Sequence, residues 1–210
     1  LTLSGETGTV QHWEYSTNGG TTYTTIPNIT NSQSYSNLTT TTIYRANVKN
    51  GSCTAANSSA ATITVEPASV GGTTAPKAQV CSGSNSGNIT LTANVGTIQN
   101  WEFSTDGLTW NPIANTTSAQ SYTNLTTTTY YRAVVKNGSC NTANSSIDTI
   151  TVDAPSVGGT ISSSATICYG NNNGTLTLNG YVGTVVRWEY SVDNGLTYNQ
   201  IANTTTTYNY

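Results

Sequence analysis

Apolar and polar residues alternate along several short runs of this chain, and clusters of Thr, Ser, Asn and Gly separate the runs. In Tyr131-Arg132-Ala133-Val134-Val135-Lys136, positions Tyr131, Ala133 and Val135 share one face. Tyr44, Ala46 and Val48 do the same in a second run, with Arg45, Asn47 and Lys49 on the opposite face. Trp101 and Phe103 turn one way and Glu102 the other. A period of two belongs to a strand with one buried face. No stretch carries the spacing of an amphipathic helix, so none is expected. Between 67 and 154 the pattern predicts strands over 88–93, 98–105, 108–113, 129–136 and 147–152, with a short one near Thr73. Asp106-Gly107 and Asn137-Gly138 mark tight turns between them. So many short strands in so few residues predict an all-β chain of tandem immunoglobulin-like antiparallel β-sandwich domains. The aromatic girdles and lipid-facing band of a transmembrane barrel are not evident.

The pattern recurs. Trp13-Glu14-Tyr15-Ser16 returns as Trp101-Glu102-Phe103-Ser104 and Trp188-Glu189-Tyr190-Ser191, at spacings of 88 and 87 residues. Val70-Gly71-Gly72-Thr73, Tyr44-Arg45-Ala46, Cys53 and Cys81 all return 87 residues later, the cysteines at Cys140 and Cys168. Such self-similarity reads as copies of one folding unit. It divides the chain into 1–66, a copy incomplete at its N-terminus; 67–154, a complete copy; and 155–210, a copy incomplete at its C-terminus. The chain therefore reads as a window on a longer array. The one-residue wobble falls in a hairpin tip, where length changes are tolerated: Asp106-Gly107 in the second copy, Asp193-Asn194-Gly195 in the third.

Composition narrows the function classes. Charged residues make up 7%, with six Lys plus Arg against nine Asp plus Glu, a net charge of −3. No basic run is present to neutralise phosphates, so nucleic acid is not an expected partner. No stretch approaches the ~20 apolar residues that span a bilayer. The regular Trp, Tyr, Val and Ile argue against disorder despite the polarity. Low charge, abundant Thr and the absence of Met suit a durable extracellular stalk.

Cys81 precedes the first long strand of the central copy, and Cys140 follows the Asn137-Gly138 turn. A Cys81–Cys140 disulfide would tie the start of the sandwich to its last hairpin, worth roughly 4 kcal/mol in the chain-entropy model. The alternative is two free thiols. Cys53 and Cys168 would pair outside 1–210. A disulfide implies an oxidising, extracellular setting.

The blocks Val80-Cys81-Ser82-Gly83-Ser84, Trp101-Glu102-Phe103-Ser104-Thr105-Asp106-Gly107 and Tyr131-Arg132-Ala133-Val134-Val135-Lys136-Asn137-Gly138-Ser139-Cys140 resemble the Ig-like repeats of very large Bacteroidetes surface proteins. That family comprises adhesins, many exported by type IX secretion and associated with gliding motility. The resemblance implies cell-surface display and adhesion, with neighbouring repeats, surface glycans or further copies in a filament as partners. It also implies O-glycosylation at triplets such as Asp148-Thr149-Ile150, with Thr149 the acceptor; an ordinary strand is the alternative reading.

Each candidate site has a structural explanation beside its functional one. Ser191-Val192-Asp193-Asn194-Gly195-Leu196-Thr197-Tyr198 matches an Asp-box, which is a hairpin device in which the Asp bonds turn amides. Glu102 with Arg132, and Glu14 with Arg45, read as cross-strand ion pairs on outward faces, worth a few tenths of a kcal/mol to about one. Hydrolytic acid–base chemistry wants paired carboxylates, and each copy repeats only one, so no catalytic residue and no enzyme activity are expected. His12 reads as a surface residue. The four Asp are scattered, so neither calcium nor another cofactor is expected. Tyr23, Trp110 and Tyr198 share one hairpin position and are candidate glycan-stacking residues, with core packing as the alternative. The expected function is a structural or adhesive stalk. A carbohydrate-binding array and a spacer of a larger secreted enzyme are the alternatives.

Overall fold

The computed structural model describes residues 1–162, 164–170 and 172–210. Every regular element among them is a strand. The first copy contributes β1 (Thr9–Ser16), β2 (Thr24–Ile26), β3 (Thr42–Lys49), β4 (Ala56–Asn57) and β5 (Ala61–Ile63). β1 lies between β2 and β3, and β4 and β5 pair with successive parts of β3.

The central copy contributes β6 (Thr73–Ala75), β7 (Ala78–Cys81), β8 (Ser86–Thr92), β9 (Thr97–Ser104), β10 (Asn111–Ile113), β11 (Ala119–Thr123), β12 (Thr129–Lys136), β13 (Ala143–Asn144) and β14 (Asp148–Asp153). One sheet runs β10-β9-β12-β14-β7, with β13 also on β12; the other runs β11-β8-β6. Ile89, Leu91 and Tyr122 of the small sheet pack against Trp101, Tyr131, Ala133, Val135 and Ile150 of the large one. Two sheets closing on one apolar core make a β-sandwich, immunoglobulin-like in its strand order. The opening segment serves both sheets: β6 pairs antiparallel with β8, the chain passes Pro76 through a cis peptide, and β7 pairs parallel with β14. The third copy contributes β15 (Thr160–Ser162), β16 (Thr175–Asn179), β17 (Trp188–Tyr190), β18 (Asn199–Ile201) and β19 (Thr207–Asn209).

The alternation on β12 is the one its sequence dictates, with Thr129, Tyr131, Ala133 and Val135 buried in turn. Ala133 stands opposite Trp101, as Ala46 stands opposite Trp13. A methyl group across the ladder leaves room for the indole on the same face. Each indole then finds its acceptor in a loop carbonyl, Thr30, Thr117 or Thr205, at 2.9 Å in all three copies.

The strands differ from the sequence pattern at three places. The pattern predicts one strand over 108–113, but β10 begins only at Asn111, because 108–110 belong to the hairpin turn and Leu108 is exposed. β11 lies in what reads as a polar connection. One of its inward residues is Gln120, whose side-chain carbonyl accepts from Asn115 Nδ2 at 2.9 Å, so hydrophobic patterning misses it. β7 leaves no mark in the sequence pattern, because a four-residue parallel partner at a sheet edge carries little periodicity.

Candidate functional site

A dense polar arrangement forms the junction between the first and central copies. It is built by the hairpin tip Asn137-Gly138-Ser139-Cys140, which follows β12. The Glu66 carboxylate accepts from the Ser139 amide at 2.7 Å and from its hydroxyl at 3.2 Å. Asn137 Nδ2 donates to the Pro67 carbonyl at 2.8 Å, and the Asn137 amide donates to Ser69 Oγ at 2.8 Å. Gly138 has a φ of +47°, and a Cβ there would meet the Glu66 carboxylate. Only glycine takes both that backbone and that approach without strain. The same tip recurs as Asn50-Gly51-Ser52-Cys53, and both close with a Cys amide donating to the Asn carbonyl, at 3.0 and 2.9 Å.

A second recurrent arrangement lies on the outer face of the large sheet. Arg132 Nε donates to Glu102 Oε2 at 2.7 Å, and its guanidinium lies 4.0 Å from the centre of the Trp110 ring. In the first copy Arg45 Nε donates to Glu14 Oε2 at 2.7 Å and covers Tyr23 at 3.6 Å. The Arg45 hydrogen bond holds the Glu14 carboxyl below its ordinary value, against the opposing pull of partial burial; His12, 3.3 Å away, adds to the lowering. These are three-residue stacks of carboxylate, guanidinium and aromatic ring across adjacent strands. The aromatic residues of this hairpin position therefore stand outside the core. In the first two copies a guanidinium takes one face of the ring that a sugar would use, whereas Tyr198 is exposed. Glu189 of the third copy instead accepts from Arg187 Nε at 2.7 Å.

A family model described as a domain of unknown function, DUF8696, matches residues 1–67, 70–154 and 157–210. The chain belongs to this family. The matched segments break at the inter-copy linkers, so the DUF8696 unit and the repeat are the same length of chain. No curated protein matches the chain. Among solved structures, the FN1–FN3 domains of chicken CNTN1 are similar at 10% identity, over 96% of this chain and 78% of that one. The TM-score is 0.31, too distant to add to what the strand pairing itself shows.

Within the DUF8696 unit the expected Cys81–Cys140 disulfide is not formed; both are free thiols, as are Cys53 and Cys168. The reason is topological. Because β7 runs parallel to β14, Cys81 stands beside Asp153 at the C-terminal end of the last strand. Cys140 sits in the hairpin at the other end of β12, an eight-residue strand about 25 Å long. A disulfide needs Cα atoms about 6 Å apart.

The hairpin tips and loops of DUF8696 explain the Thr and Asn content. Asp106 Oδ1 accepts from the Leu108 and Thr109 amides at 2.8 and 2.7 Å and from Ser104 Oγ at 2.8 Å, which holds its carboxyl well below the ordinary range. Asp193 does the same work in the third copy and titrates at about 2, lowered chiefly by its hydrogen bonds from Ser191 and Thr197. Asn18 replaces the carboxylate in the first. A further motif was overlooked in the sequence: Asn28, Asn115 and Asn203 each accept from the amide and hydroxyl of the Thr two residues on. Its signal is an Ile-x-Asn-x-Thr spacing repeated in every copy. Thr149 is half-buried on β14, and Asp148 beside it is wholly buried. Among the described residues, no group of three or more His, Cys, Asp or Glu is placed to hold a metal, and no helix is long and apolar enough to cross a membrane.

Proposed function

We propose that this DUF8696 chain is a structural and adhesive repeat region, a semi-rigid stalk of a large bacterial surface protein. The observation that carries the reading is the clamp at the junction. A four-residue hairpin tip of one copy holds the linker through Glu66, Pro67 and Ser69, so the copies are not strung on a free tether. Short linkers with hydrogen-bonded backbone lose hinge freedom, which is what a stalk needs. The resemblance of the Cys81, Trp101 and Tyr131 blocks to surface adhesin repeats supports an extracellular location. The Arg-covered rings of Trp110 and Tyr23 favour a load-bearing array over a carbohydrate-binding one.

Small-angle scattering of the whole chain tests the stalk. An extended particle whose dimensions shrink when Asn137→Ala and Ser139→Ala are combined is the expected result; a parent chain that bends freely would defeat the reading. Display is tested by antibody labelling of intact producing cells, and staining only after permeabilisation would rule it out. Glycan binding that disappears in Trp110→Ala would assign the array to sugar recognition instead.

A further inference from the structure

The two cysteines of the central unit lie at opposite poles, Cys140 against the linker from the first copy and Cys81 beside the end of the last strand, where the linker to the third copy begins. Cys81 ends β7 beside Asp153, and the next amide, Ser82, donates to the Asp153 carbonyl at 2.9 Å. Asp153 is the last residue of β14, where the linker begins. Its counterpart at the preceding junction is Glu66, 87 residues earlier. The two positions are structurally the same: the Val65 amide donates to Thr41 Oγ1 at 3.0 Å, and the Val152 amide donates to Thr128 Oγ1 at 3.1 Å. On Glu66 the following copy places its own cysteine. Cys140 Sγ lies 3.8 Å from the Glu66 carbonyl oxygen and 3.4 Å from that of Pro67.

One carbonyl position is thus approached from two sides. The Cys81–Ser82 segment of the same copy reaches it across the parallel pair, and the Cys140-type thiol of the next copy reaches it through the hairpin tip. Neighbouring strands are about 4.8 Å apart, so a junction carrying both cysteines would bring them toward one backbone position from its two sides, the approach that a disulfide needs. Within residues 1–210 the first junction carries Cys140 and the second carries Cys81, so neither junction holds both members of the pair.

We infer that consecutive DUF8696 units are joined by an inter-unit disulfide, from the Cys81 position of one unit to the Cys140 position of the next. The two thiols form one S–S bond and give up two protons and two electrons. A disulfide oxidant such as oxidised glutathione accepts them and leaves as two reduced thiols. Every junction would then carry a covalent link beside the peptide linker. This rests on the junction geometry and not on the adhesive reading, which labelling of intact cells tests separately.

The 210-residue chain provides the first test. After equilibration with oxidised glutathione, non-reducing peptide mapping should find no link between Cys81 and Cys140; finding one overturns the inference. The second uses two central units (70–156) in tandem, since the sandwich closes its core within those residues. In one protein the first unit carries Cys140→Ser and the second Cys81→Ser, leaving the facing pair. The other protein has the substitutions exchanged, leaving the outward pair. The first should lose both thiols to an internal disulfide while the second keeps both. Native tryptophan fluorescence in both proteins with no internal link in the first, an internal link in the second, or links only between separate molecules would each refute it.

Discussion

Trp101 is the residue on which the central unit closes. It is wholly buried, faces Ala133 across the ladder and donates to the Thr117 carbonyl, so its removal costs both packing and a satisfied loop acceptor. Trp101→Ala should lower the unfolding free energy by about 4 kcal/mol in urea titrations monitored by circular dichroism. Asp148 behaves differently, because the first copy has Ala61 in its place and the repeat does not require it. Its Oδ1 accepts the Thr149 amide at 2.8 Å, and its buried Oδ2 has no partner among the described residues. Burial raises its pKa above the ordinary 3.8. Between the unfolded and the raised folded value the native state binds more protons, so stability falls as pH rises through that window. Asp148→Asn should lose less stability than the parent as pH rises above the ordinary 3.8, as read from urea midpoints.

At the scale of single elements, the strand ladders and their hairpin tips bear different loads. The Glu102–Arg132–Trp110 stack spans β9, β12 and the start of the second hairpin arm, and it is partly open to water. A double-mutant cycle with Arg132→Ala and Trp110→Ala should return a coupling of about 0.5–1 kcal/mol, diminishing in high salt. The tip is held by Asp106, whose carboxylate satisfies amides that would otherwise be free. Asp106→Ala should speed hydrogen exchange at Leu108 and Thr109 while leaving β12 protected. The third copy reports the pH limit. Asp193 is depressed to about 2, so its contribution is present above the ordinary 3.8 and disappears only as pH falls through about 2. The Thr197 amide should therefore keep its hydrogen bond well into acid.

Across the whole molecule the decisive feature is the junction. If the clamp of Asn137 and Ser139 on 66–69 restrains the linker, proteases should cut there slowly in the parent chain. Asn137→Ala with Ser139→Ala should raise the rate of cleavage in that segment several-fold on gels, with the cores of both copies intact. Equal rates would show that the linker is protected by something other than the clamp. Stiffness in such an array is a nearest-neighbour property, because each unit touches only the units beside it.

The sequence alone established the repeat, the all-β class and the facing of the long strands. Those are written in local terms: a period of two in β9 and β12, Asp-Gly and Asn-Gly at turns, and Trp recurring every 87 or 88 residues. It also supplied the partners Glu102 and Arg132, since neighbouring strands with polar outward faces bring such residues together. Other features depended on contacts distant along the chain. β11 turns a Gln inward because Asn115 satisfies it, Trp110 stands outside the core because Arg132 covers it, and β7 pairs parallel with β14. That last pairing, invisible to any local pattern, separates Cys81 from Cys140 and turns each toward a neighbouring unit. Side-chain periodicity tells a strand which face is buried, but only the order in which strands join the sheets decides which ends of the molecule meet.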